Sequence, residues 1–322
     1  MIKRLLATDW FGLAVIAAAG VVLISLVRPE FLSSFNVFVL LDTFALSTLI
    51  ALSQMIVIGL GQMNLSVGSI GGLVGICFAG VMQVYGVPAW IAVIGGVLLG
   101  GAAGWFNGWM TAKAGLSAFI VTLATMAAYK GLNMGITQAQ PFYDIPAVVK
   151  AAGNASILGP IPVLLIPAAV IAIGVSYGLR RLPIGRQILA AGGNLHAAEL
   201  SGISIAWVTI VTHVVSGALA GAAGMMAVAR LQMGQPTIGD DWLIPSFAAP
   251  VIGGAVLSGG HVSVAGTVAG VVIVALITQA LVLFRVDPYY VQFLLGALIL
   301  AAVGANRLRD NRARRGLMKK AV

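Results

Sequence analysis

Little in this sequence can do covalent chemistry. His196-Ala-Ala-Glu199-Leu200 follows a zinc-protease signature until its last position, where Leu200 stands in place of the second histidine ligand. Asn64-Leu-Ser66-Val-Gly68 falls one glycine short of a nucleophile elbow, and its neighbours are apolar rather than strand, turn and helix. No Gly-Lys pair occurs anywhere, so a phosphate-cradling P-loop is excluded. Three dispersed histidines and the single Cys77 build no metal site. The expected reading is a protein that is not an enzyme and carries no cofactor of its own.

Two charges stand inside apolar runs. Asp42 reads as an interfacial carboxylate hydrogen-bonded to nearby Ser or Thr, with an ion relay as the alternative. Lys130 either snorkels outward or takes part in a polar pathway.

Composition decides what positions these residues. The chain is 60% hydrophobic and 8% charged, with a mean hydropathy of +1.05, which places it among polytopic membrane proteins. At about 20 apolar residues per crossing, an all-α membrane protein of about ten spans is expected. They fall near 10–27, 38–60, 66–85, 89–112, 116–136, 161–179, 207–229, 242–257, 264–284 and 291–305. The first lacks a cleavage site and reads as a retained span. Gln54, Gln62, Asn64, Pro245 and Pro250 interrupt the second, third and eighth, which are therefore candidates for broken helices.

The net charge of +9 follows topology rather than a nucleic-acid surface. With both termini cytoplasmic, that side holds Lys3, Arg4, Lys113, Arg180, Arg181, Arg186 and the cations of the tail, 306–322. Arg28, Lys130, Lys150, Arg230 and Arg285 fall outside. The basic tail then reads as an anchor at anionic membrane lipid.

Glycine supplies the packing surfaces. Gly96, Gly100, Gly104 and Gly108 recur every fourth residue, which lines them along one helix face for a close crossing. Gly71 with Gly75, Gly217 with Gly221, and Gly266 with Gly270 repeat the pattern. A faint echo between Ser66-Val-Gly-Ser-Ile-Gly-Gly and Ser263-Val-Ala-Gly-Thr-Val-Ala-Gly is compatible with duplicated halves and with chance.

The stretch from Arg180 to Ile203 is the long polar interruption. Gly192 and Gly193 break the chain, Asn194 caps a new helix, and Leu195 to Leu200 supply about two turns before Gly202 stops them. So short a helix must dock on something.

These motifs resemble the membrane permease of ribose-type ABC sugar importers, within the group that includes branched-chain amino acid permeases. The likeness covers nearly the whole chain, 1–322, as a single permease domain. It is carried by Asn64-Leu-Ser-Val-Gly-Ser, Thr122-Leu-Ala-Thr, Leu182-Pro-Ile-Gly-Arg, Ala191-Gly-Gly-Asn and Ala197-Ala-Glu-Leu-Ser-Gly-Ile. Val251-Ile-Gly-Gly-Ala-Val-Leu-Ser-Gly-Gly and Gly266-Thr-Val-Ala-Gly complete it.

The resemblance implies a permease paired with a second permease chain, identical or divergent, an ABC ATPase subunit that holds ATP and Mg, and a periplasmic solute-binding protein. Localisation in a bacterial inner membrane follows. Loop 180–206 becomes the coupling element, with Gly185, Arg186, Gly192, Gly193, Asn194, Ala197, Ala198, Glu199, Leu200, Ser201 and Gly202 as its residues. Gln54, Gln62, Asn64, Ser66 and Ser69, faced by Thr122 and Thr125, are the candidate substrate pathway. Singly each reads as glue between helices; as a cluster of neutral donors and acceptors they suit a polyhydroxylated neutral solute. Asp240, Asp241 and Trp242 are candidates for binding-protein docking, against a plain solvated turn.

The chain departs from the family pattern at Asn64, where Asp is usual, and near Leu243 and Pro245, where Glu and Asp are usual. His261 follows Gly260 where another small or basic residue is favoured. These departures weaken an assignment to ribose. A nucleoside or amino acid cargo, a stand-alone ion-coupled carrier and a membrane enzyme are the alternatives.

Overall fold

The computed structural model describes residues 9–287 together with 290–297, 300, 301 and 304. The basic tail, Lys3 and Arg4 lie outside the described residues.

Helices dominate because long apolar runs rich in Ala, Leu and Gly satisfy their own backbone hydrogen bonds away from water. In chain order they are α1 (Asp9–Val27), α2 (Ser34–Gly59), α3 (Val67–Tyr85), α4 (Ala89–Lys113), α5 (Ala118–Thr137) and α6 (Ala147–Asn154). A two-stranded hairpin follows, β1 (Ser156–Ile157) against β2 (Ile161–Pro162), antiparallel with Ser156 opposite Pro162. Then come α7 (Leu165–Arg181), α8 (Pro183–Gly193), α9 (Leu195–Leu200), α10 (Ile205–Leu231), α11 (Leu243–Ile252) and α12 (Val264–Leu283).

Among the described residues, six helices are long and apolar enough to cross a membrane, or seven if α7 and α8 form one bent span. Helices α1 and α11 are shorter apolar segments. Helix α11 reaches only Leu243–Ile252, so the span read from the sequence over 242–257 is helical for only part of its length. The second span is unbroken, since Gln54 sits inside the continuous α2.

Helix α10 is the central post, packed most extensively on α4, α3 and α2. The glycine ridge of α4 makes this possible. A Cβ at Gly100 would overlap the Gly217 carbonyl, one at Gly104 the His213 carbonyl, and one at Gly108 the Ile210 backbone. Rising residue numbers on α4 meet falling ones on α10, so the two run antiparallel. Helix α2 also runs antiparallel to α10, with Ser53 beside Ser216 and Thr43 beside Arg230. Helix α3 runs parallel to it, with Gly71 beside Gly224.

Two helices, α3 and α11, are entered through extended chain packed along their neighbours. After α2 ends at Gly59, residues 60–66 turn back along α10 until Asn64 reaches Ser216, and only then does α3 begin. After α10 ends at Leu231, residues 232–242 descend beside α3, with Ile238 against Gly72 and Gly239 against Gly68, before α11 begins. Gln62 and Asn64 therefore lie in a true break, ahead of an unbroken α3, whereas Pro245 and Pro250 lie inside α11 and the break of the eighth span precedes them.

Candidate functional site

The first break positions a buried polar seam. Asn64 is fully buried; its Nδ2 donates to Ser216 Oγ at 3.0 Å, and its Oδ1 accepts from the Ser66 backbone N–H at 3.0 Å and Ser66 Oγ at 2.7 Å. Asn107 Nδ2 donates to Ser66 Oγ at 2.8 Å, and Ser53 Oγ lies 3.0 Å from Ser216 Oγ. With its amide oriented to match its neighbours, Gln54 donates to the Asn64 carbonyl at 2.9 Å and accepts from the Asn64 N–H at 3.3 Å. Gln54 of α2 thus takes up the backbone N–H and carbonyl of Asn64 that no helix satisfies, while Asn107 of α4 and Ser216 of α10 fix the Ser66 and Asn64 side chains.

That arrangement divides the pathway residues into two sets. Gln54, Asn64, Ser66 and Thr122 are sealed from solvent within the protomer, and Thr125 nearly so. Thr122 Oγ1 donates to the Ala118 carbonyl at 2.7 Å, and Thr125 Oγ1 lies 3.4 Å from the Thr122 carbonyl. Gln62 and Ser69 are partly exposed, with Gln62 Oε1 3.0 Å from His213 Nε2. Ser53, Asn107, His213 and Ser216 belong to the same seam and were missed in the sequence. Their signal was there: each is polar within a Gly-rich or apolar span.

The coupling segment is more ordered than a loop. Residues 183–193 form α8, bent 70° from α7. Gly185 permits the bend, because a Cβ there would overlap the Gly178 carbonyl. Gly192 and Gly193 close α8 rather than interrupting a loop. Asn194 caps α9 as its chemistry predicts, its Oδ1 accepting from the Ala197 N–H at 2.9 Å. Of the six α9 residues only Ala198 is buried, while Leu195 and Leu200 are 52% and 78% exposed. Gly202 stops the chain with a φ of +81°. Arg186, Glu199 and Ser201 are exposed.

Helix α8 touches the end of α2 and the loop between α11 and α12, residues 253–263, directly. A Cβ on Gly192 would overlap the Gly59 carbonyl and stand 2.7 Å from the Gly260 nitrogen, and the Gly260 N–H itself donates to Gly59 O at 3.0 Å. The segment that turns back to Asn64 therefore starts at a backbone contact with α8.

At the other end of α10, Asp42 does not bond Ser or Thr as its neighbours suggest. Its Oδ2 lies 2.7 Å from Arg230 Nε, and Arg230 Nη2 donates to Thr43 Oγ1 at 3.0 Å. Lys130 Nζ pairs with Asp240 Oδ1 at 2.9 Å, joining α5 to the 232–242 segment. Asp240 and Asp241 are exposed, but Trp242 is 7% exposed and packs on Gly71, so it is a core residue and not a docking residue. A pocket of about 260 Å³ opens between α2, α10 and this segment, bounded by Leu46, Arg230, Gln235, Thr237, Asp241 and Trp242.

Residues 36–303 match the model of the family described as branched-chain amino acid transport system / permease component. The chain belongs to this permease family. Among relatives, the D-allose transport system permease protein AlsC of Escherichia coli is 34% identical over 301 residues, covering 93% of this chain and 92% of that protein. The ribose import permease protein RbsC of Bacillus subtilis is 34% identical over 293 residues, 90% of each chain. The L-arabinose transport system permease protein AraH of Escherichia coli is 30% identical over 307 residues, covering 95% and 93%. No solved structure matches. The resemblance read from the motifs is thereby borne out, and the several apolar helices agree with a multi-pass permease.

Proposed function

We propose that this permease is the membrane subunit of an ABC importer that moves a monosaccharide, sugar alcohol or related small polar solute by ATP-driven alternating access. The observation that carries the reading is that relatives spanning nine-tenths or more of the chain are named for allose, ribose and arabinose transport.

Ten crossings follow if α1, the bent α7–α8 pair, the crossing that ends in α11 and the helical stretch from residue 290 are counted with the six long helices. Both termini then face the cytoplasm of a bacterial inner membrane. Helix α9, with its exposed Leu195 and Leu200, is the piece offered to a separate ATPase that binds ATP and Mg. Gly185, Arg186, Gly192, Gly193, Asn194 and Glu199 shape and flank it. A second permease chain, identical or divergent, completes a pathway to which this protomer presents Gln62 and Ser69, while Gln54, Asn64, Ser66 and Thr122 hold the break beneath them. Asp240 and Asp241 lie on the face offered to a solute-binding protein.

The family description, which names branched-chain amino acids, favours one alternative: the same architecture with an amino acid cargo. Purification of the tagged permease after crosslinking in native membranes tests the assembly. Recovery of an ATPase and a solute-binding protein is expected, and ligand screening of that binding protein separates sugar from amino acid. Recovery of the permease alone would sink the importer reading.

A further inference from the structure

The pocket beside Arg230 combines a fixed cation, an exposed carboxylate, two neutral polar side chains and an apolar wall. Resting on the importer reading above, we propose that it is a solute-binding site at the outer mouth, taking one neutral polyhydroxylated molecule of monosaccharide size.

Size limits the ligand. Pockets for drug-sized molecules run from about 300 to 1,000 Å³, so a space of about 260 Å³ suits something smaller.

Charge selects its class. Arg230 is held by Asp42, and Asp241 stands on the same rim. One cation against two carboxylates repels a phosphate or carboxylate ligand. Hydroxyl groups, which both donate and accept, can use Arg230, Asp241, Gln235 and Thr237 together.

The site is also built before anything enters. Arg230 spends its Nε–H on Asp42 and one Nη2–H on Thr43, and a guanidinium has five such donors. The remaining N–H groups need no reorganisation to meet a ligand. Leu46 and Trp242 give the C–H faces of a sugar ring an apolar wall.

Position links the site to transport. Gly239 lines this pocket and abuts Gly68, so its floor is the junction of the two helix breaks. Beyond that junction lies the Asn64 seam at Ser216, about 21 Å from Arg230 along α10 at 1.5 Å per residue. A solute seated here stands over the starts of α3 and α11, whose movement would open the path.

The test uses the whole importer, reconstituted with its ATPase and binding protein. Initial uptake of D-ribose, D-allose and L-arabinose, and of the monodeoxy analogues of each sugar carried, is compared for wild type, Gln235→Ala, Thr237→Val and Asp241→Asn. A lost hydroxyl partner acts only on solutes that bear that hydroxyl, so the ratio of rates is the readout; misfolding or weaker docking scales every solute alike. The site predicts that the ratio between a sugar and one deoxy analogue shifts about tenfold in at least one variant. Unchanged ratios, whether rates hold or fall together, would overturn it. If the wild-type importer carries another polyhydroxylated solute, the same ratio is read on that solute and its deoxy analogues, and a cargo without hydroxyl groups overturns both the sugar reading and the site.

Discussion

Gly68 and Gly239 abut with no side chain between them: a Cβ on either would overlap the carbonyl oxygen of the other. Each belongs to a crossing that changes from extended chain to helix, and the two changes meet at this contact. Gly239 also holds a φ of +91°, which L side chains rarely adopt. The junction thus needs glycine on both sides, for space at one and for space and backbone shape at the other.

Gly68→Ala and Gly239→Ala should each destabilise the permease by about 1–3 kcal/mol through overpacking. Gly131→Ala on α5 is the control, since nothing lies within 4 Å of a Cβ there; helix propensity alone should stabilise it by up to about 1 kcal/mol. Thermal unfolding in detergent checks the opposite signs. Equal behaviour of Gly68→Ala and Gly131→Ala would refute the close contact.

Asp42→Asn should cost about 3 kcal/mol, at the lower end of the range for breaking a buried pair because Arg230 is partly exposed. Exchanging the two residues, Asp42→Arg with Arg230→Asp, should recover part of the loss. A double-mutant cycle measures the coupling, and additive effects would contradict the pair.

Lys130→Ala should change stability by less than about 1 kcal/mol, because both partners of its ion pair are well exposed at 48% and 39%. Raising the salt concentration should erase whatever difference remains. A loss as large as that of Asp42→Asn would show that Lys130 is held by more than Asp240.

Gly192→Ala and Gly260→Ala should lower the number of solute molecules moved per ATP hydrolysed. The Gly192 substitution forces α8 away from Gly59, and Gly260, at a φ of +82°, closes the same contact from the other loop. Parallel transport and hydrolysis measurements on the reconstituted complex read the ratio. An unchanged ratio in both variants would remove this contact from the coupling route.

Local patterns made much of this legible in advance. The α4 glycine ridge announced itself by four-residue spacing, Asn194 by cap chemistry, and the extended turn before α3 by Gln62 and Asn64, while Pro245 and Pro250 pointed to a break that falls ahead of them. What stayed hidden depends on partners far away in the chain. Nothing near Asp42 points to Arg230, nothing near Trp242 shows that Gly71 leaves room for its ring, and Ser216 looks like any hydroxyl in a glycine-rich helix. The α8 helix was hidden for a different reason: its clustered polar residues read as a loop, while its buried face is only Gly185, Ile188 and Ala191.

The most direct measurement is monosaccharide uptake by proteoliposomes containing the permease with its co-purified ATPase, the solute-binding protein outside, and ATP with Mg enclosed. The importer account predicts uptake that requires enclosed ATP and external binding protein and survives collapse of proton and sodium gradients. Uptake driven by an ion gradient without ATP would contradict it, and would make the Asp42–Arg230 pair the first place to look for an ion relay.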